Sequence, residues 1–199
     1  MSDPHRILDD RREALEEAFF RKENERLREQ MRIQREREAT RKALAGEMGL
    51  DDDALLDRLV ELGIRIDTVE ALVLVPLALV AWADGKVEAR ERDAVLRGAA
   101  ASGIAPGSPA YQLLDTWTVH RPPRELLDAW RAYIAALVAE LSADQGRALE
   151  QRILGRARDV AKATGGILGM ASVSEEEEAV LAMLADAFGD QRNDASTRS

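Results

Sequence analysis

The stretch Val69-Glu-Ala-Leu-Val-Leu-Val-Pro-Leu-Ala-Leu-Val-Ala-Trp-Ala-Asp-Gly-Lys-Val-Glu-Ala-Arg-Glu91 holds the longest apolar run of the chain and its sharpest turn. The 13 residues from Ala71 to Ala83 are all apolar, Pro76 among them. A helix apolar on every face belongs at the centre of a core, and this one is too short to span a bilayer. The spacing predicts one element over Val69–Ala83, begun by Asp67 or Thr68 and kinked or split at Pro76. Asp84-Gly85 ends it, because glycine takes the left-handed conformation that closes a helix. Glu88–Ser102 forms the next helix, with Val95, Leu96 and Ala99 inward.

Outward from this pair the punctuation is regular. Gly46 and Gly49 interrupt the pattern, and Asp51–Asp53 cap a short helix over Ala54–Leu62 that Gly63 closes. Gly103–Pro109 reads as a loop and Pro122-Pro123 as a second break. Helices over Ala110–Val119 and Arg124–Leu141 flank that break, with Tyr111, Trp117, Trp130 and Tyr133 expected as wedges between them. Ser142 caps a helix over Asp144–Ala163 that Gly165-Gly166 stops, and residues 167–172 form a glycine-punctuated loop. Ser174-Glu-Glu-Glu177 has capping-box spacing and starts the last helix, which ends near Phe188-Gly189. Residues 190–199 are polar and are expected to be disordered. The expected fold is all-α: a compact bundle of about seven helices over residues 49–189, with residues 1–48 as one long, protruding, charged helix, an arm.

Composition agrees. Ala, Glu, Leu, Arg and Lys make up just over half of the 199 residues, as long helices require. Eight aromatic residues argue against a sizeable sheet. The absence of cysteine excludes disulfides, thiolate metal sites and cysteine nucleophiles. His5 and His120 lie 115 positions apart, too far in sequence to suggest a histidine zinc cluster. The net charge of −9 falls entirely on residues 49–199, with 16 basic and 25 acidic side chains, while residues 1–48 balance 12 against 12. A body this acidic repels phosphate backbones, so no nucleic-acid partner is expected. The basic stretch Arg32, Arg35, Arg37, Arg41 and Lys42 is diluted by Glu36 and Glu38. Met1–Asp10 lacks the apolar core of a signal peptide. No membrane insertion is expected, and the expected location is the cytoplasm.

From His5 to Ala45 there is neither glycine nor proline, and 22 of residues 5–44 are charged. Leu8, Leu15 and Phe19 share one helical face, and Phe20, Leu27 and Met31 cluster roughly 120° further round. A seam that drifts in this way does not keep a strict heptad, which argues against a long self-associating coiled coil. Two readings follow. The helix is either merely solvated with a narrow apolar stripe, or it presents Leu15, Phe19, Phe20, Leu27 and Met31 to a protein partner.

Asp84-Gly-Lys-Val-Glu88-Ala-Arg-Glu91 has the spacing of the second half of a calcium-binding loop: ligand, tight-turn glycine, apolar anchor, terminal glutamate. The ligands of the first half would fall at Val80 and Trp82, so an EF-hand is excluded. Asp84, Glu88 and Glu91 remain as candidates for a hard cation such as calcium or manganese. Each also has a structural explanation: Asp84 can bond turn amides, and Glu88 and Glu91 can cap the following helix. The start of the last helix repeats the device without the Asp-Gly, which suggests an internal duplication.

The run Val75–Glu91, with its alanine-tryptophan-alanine-aspartate-glycine string before an acidic helix, resembles the signature of TerB-like domains of bacterial tellurite-resistance proteins. The resemblance covers about residues 65–189. It implies two repeated helical units, no catalytic activity, and acidic residues that bind cations in stress-response complexes; by motif position these are Asp84, Glu88 and Glu91. A fainter similarity links Asp9-Asp-Arg11, Ala14, Glu16, Phe19 and Gly46-Glu-Met-Gly-Leu50 to the helical inhibitor (zeta) subunit of α-proteobacterial ATP synthases.

Two functions follow as expectations. The first is a non-enzymatic module that holds a divalent cation and engages a protein partner through its N-terminal helix. The second is a metal-independent regulatory or inhibitory protein working through the apolar seam. Serine and histidine are not arranged for catalysis, and no phosphate-binding loop is present.

Overall fold

The computed structural model describes residues 4–164 and 173–189, with side-chain environments from Glu17 onward except at Ala18 and Thr164. The chain divides into two compact units, Met1–Ala43 and Leu44–Ser199.

The first unit is most of helix α1, Pro4–Met48, 45 residues long. Nothing in it needs a core to be helical. Arg26–Glu23 (2.6 Å), Arg32–Glu29 and Arg32–Glu36 (both 2.5 Å) are exposed pairs three or four positions apart. Such pairs lend a modest local stabilisation to an isolated helix. Gly46 does not interrupt the helix as its sequence position suggests. It lies inside the last turns, and α1 ends at Gly49, whose φ of +63° lets Leu50 N–H return to the Ala45 carbonyl at 3.3 Å. The unit boundary therefore falls at 43/44 rather than 48/49, because Leu44 is already fully buried and Ala45 and Met48 pack on the core.

The second unit is all-α. Seven α-helices follow α1 among the described residues: α2 (Asp53–Glu61), α3 (Val75–Ala81), α4 (Ala89–Ala101), α5 (Pro109–Val119), α6 (Arg124–Ala139), α7 (Ala143–Thr164) and α8 (Glu175–Ala185). The expected element over Val69–Ala83 is split. Val69–Leu74 is a 3-10 turn, and α3 starts at Val75, so that Pro76 falls in a first turn where its missing N–H breaks no bond. Six of the seven α3 residues are buried, and α3 touches α4, α5, α6, α7 and α8. Gly98 of α4 lies tight against α3: a Cβ there would stand 2.7 Å from Leu77 Cδ2.

Two helix starts follow the predicted caps and a third adds one. The Asp52 carboxylate accepts from Leu55 N–H (3.0 Å), and the Ser108 hydroxyl, inside the stretch expected as a loop, accepts from Tyr111 N–H (3.2 Å). Ser142 and Gln145 bond each other's backbone N–H groups reciprocally at 3.3 and 2.9 Å. Of the aromatic residues expected as wedges between α5 and α6, Trp130 and Trp117 find partners on other elements. Fully buried Trp130 meets Phe188 edge-on, with ring centroids 6.0 Å apart, in the 3-10 turn Asp186–Phe188 after α8. Trp82, at the end of α3, donates its indole N–H to the Trp117 carbonyl in the last turn of α5 at 2.7 Å. The predicted stop at Gly165-Gly166, the loop 167–172 and the tail 190–199 lie outside the described residues.

Candidate functional site

After Ala81 the chain tightens at once. Gly85 N–H bonds the Trp82 carbonyl at 3.0 Å, and Gly85 takes φ +91°, a conformation that favours glycine. The Asp84 carboxylate then accepts Lys86 N–H at 3.1 Å, closing an Asx turn. Glu88 is the N-cap of α4, and Glu91, at its third position, accepts the Glu88 N–H at 2.7 Å. Only 4 % of Glu91 is exposed.

The three acids therefore stand on one turn but do not converge. Asp84 and Glu88 are exposed, and Glu91 folds back beneath the helix start. Among the described residues, no group of three or more Asp, Glu, His or Cys side chains could hold a metal ion. The turn already has a cation of its own: Lys86 Nζ lies 3.1 Å from Glu88 Oε1. That hydrogen bond, the charge of Glu88 and then that of Asp84 raise the Lys86 pKa above its ordinary value.

Beside the turn is a shallow cleft of about 390 Å³, with Lys86, Glu88 and Arg92 on one wall and Thr118 and Val119 on the other. Arg92 grips Asp115 with two bonds of 2.7 and 2.9 Å, tying α4 to α5. The guanidinium holds the Asp115 carboxyl below the usual carboxylate range, chiefly by hydrogen bonding.

The start of α8 repeats the cap. Ser174 Oγ accepts Glu177 N–H at 3.2 Å, and Glu177 accepts Ser174 N–H at 2.7 Å, with 6 % of Glu177 exposed. What the two helix starts share is a buried glutamate closing on the N-cap amide.

The apolar seam of α1 is exposed: Phe19 by 65 %, Phe20 by 62 %, Leu27 by 45 % and Met31 by 55 %. The Phe19 and Phe20 rings stand edge-to-face, 5.9 Å apart. The Leu15 side chain lies outside the described residues. Ile33, exposed by 43 %, falls on the Leu15 and Phe19 side of the helix and was not among the expected residues. Its signal was present, since 18 positions make five helical turns and return to the face of Leu15.

Two larger clefts in the second unit had no sequence signal. One, about 410 Å³, lies between the Pro122-Pro123 loop and α8, floored by Leu79, Trp82 and Leu127. The other, about 620 Å³, runs along α7 between Arg147 and Arg158 and ends at Phe188. None of the described helices is long and apolar enough to cross a membrane. No family model, curated protein or solved structure matches the chain.

Proposed function

We propose that the chain is a non-enzymatic helical module that engages a protein partner through the exposed apolar residues of its N-terminal helix, independently of metal. One observation carries this reading: Phe19, Phe20, Leu27 and Met31 are 45–65 % exposed on a helix whose local ion pairs support it without them. Large apolar side chains grouped on one exposed segment are the usual mark of an interaction surface. The acidic turn enters this reading as structure, since each of its carboxylates has a bond within the turn. The test is affinity capture with the full chain and with the double substitution Phe19→Ser, Phe20→Ser. A specific partner should be lost from the variant while its melting temperature is unchanged. Equal capture by both proteins would overturn the reading.

A second reading follows from the TerB-like resemblance: a calcium or manganese ion held by Asp84, Glu88 and Glu91 within a bacterial stress-response complex. The exposure of Asp84 and Glu88 on one turn supports it. The metal would have to displace Lys86 from Glu88 and draw Glu91 out of its cap. Calorimetric melting with millimolar cation decides: a rise that Asp84→Asn removes supports binding, and an unchanged melt rejects it.

A further inference from the structure

We infer that the partner surface on α1 pairs with a second copy of itself, in parallel, over a short window centred on Leu27. The inference rests on reading this helix as the partner-binding surface and names the partner.

Phe20 and Leu27 are seven residues apart, as are Asn24 and Met31. At 100° per residue the four side chains fall within about 60° of one another. They alternate in steps of four, three and four, the spacing of a two-stranded seam. All four are exposed. The drift that excludes a long coiled coil sets the limits of this one: the same seam continues upstream into Glu17 and Glu13, and downstream into Gln34 and Glu38. One polar residue inside an apolar seam, here Asn24, is the kind of position that selects register, because its amide is satisfied only by the same amide opposite.

Charge selects the orientation. In a parallel, in-register pair, Glu23 faces Arg28 of the other copy, an attractive contact. Gln30 facing Arg35 is neutral, and Arg37 facing Lys42 is repulsive, so charge ends the pairing where the apolar seam ends. In an antiparallel pair Arg21 would face Arg28, placing like charges beside the same apolar residues.

The test is sedimentation equilibrium of the full chain with concentration raised to about 1 mM, a range that covers small interfaces. The mass should climb from 22.0 kDa towards twice that value. Leu27→Glu with Met31→Glu should raise the dissociation constant by about 100-fold or more, since each removes an apolar contact and buries a charge. Helicity and the melting temperature report that the variant is folded. The chain has no cysteine, so Asn24→Cys supplies a unique thiol that should oxidise to a covalent dimer in the parallel register. A dimer that survives the double substitution, or one that forms without cross-linking at Asn24→Cys, overturns the inference. A monomer at 1 mM whose helix still captures another protein overturns self-pairing alone. A monomer that captures nothing overturns the partner-binding reading as well.

Discussion

Phe19 and Phe20 leave 65 % and 62 % of their surface in solvent, on a helix of 45 residues, while Val75 and Leu77 leave none, on a helix of seven. A seven-residue helix is too short to hold its own conformation in water. It exists because its neighbours bury it, and its apolar residues are the reason it forms. α1 works the other way. Length, the absence of breakers and local ion pairs favour the helix up to Ala43, so its exposed apolar residues are not needed to form it. Where burial makes the helix, apolar residues report on folding; where the helix makes itself, they are free to report on binding.

The comparison breaks most visibly if the core is cut. Trp130→Ala should cost about 3–5 kcal/mol, seen as a large drop in calorimetric melting temperature. Amide exchange in residues 20–40 should be unaffected if that segment is supported locally. A smaller cut is Gly98→Ala. The added methyl meets buried Leu77, and the strain should outweigh the helix propensity gained, for a net loss of about 1–2 kcal/mol in denaturant unfolding.

Asp115 sharpens the same contrast through pH. Its folded pKa is depressed by Arg92, so the pair stabilises the fold above the unfolded pKa of the carboxyl. That contribution disappears as pH falls through the folded value. The pair is partly exposed and screened by solvent, so the difference should be small. It should be absent in Asp115→Asn when unfolding is compared at neutral and strongly acidic pH. The smallest effect belongs to the solvated helix: Arg32→Gln, losing Glu29 and Glu36, should speed amide exchange around residue 32 by about threefold and leave the melting of the second unit unchanged.

The helix starts at Asp52, Ser142 and Ser174 were legible because a cap is a local device, and each of these side chains bonds an amide three positions on. Gly46 was misleading because a lone glycine costs about 1 kcal/mol, and turns joined to the packed Leu44 absorb that cost. The partner of Trp130 was hidden for the opposite reason, since Phe188 is brought to it by packing across the chain. At the acidic turn the spacing of Asp84, Glu88 and Glu91 was readable, and it left capping and cation binding as alternatives; the bonds present are those of the turn and the cap. A glutamate at the third position of a helix can point outward or close on the N-cap, and the burial of Glu91 depends on the core beneath it. The grip of Arg92 on Asp115 joins residues 23 positions apart, which no local pattern displays.

Trp82, Trp117 and Trp130 are the chain's three indoles, and all belong to the second unit. Ultraviolet emission therefore follows the unfolding of that unit and carries no direct indole signal from the N-terminal segment, whereas far-ultraviolet dichroism records both. If the two units unfold separately, the two optical traces of one heated sample will part, and the gap between them measures the solvated helix without any label.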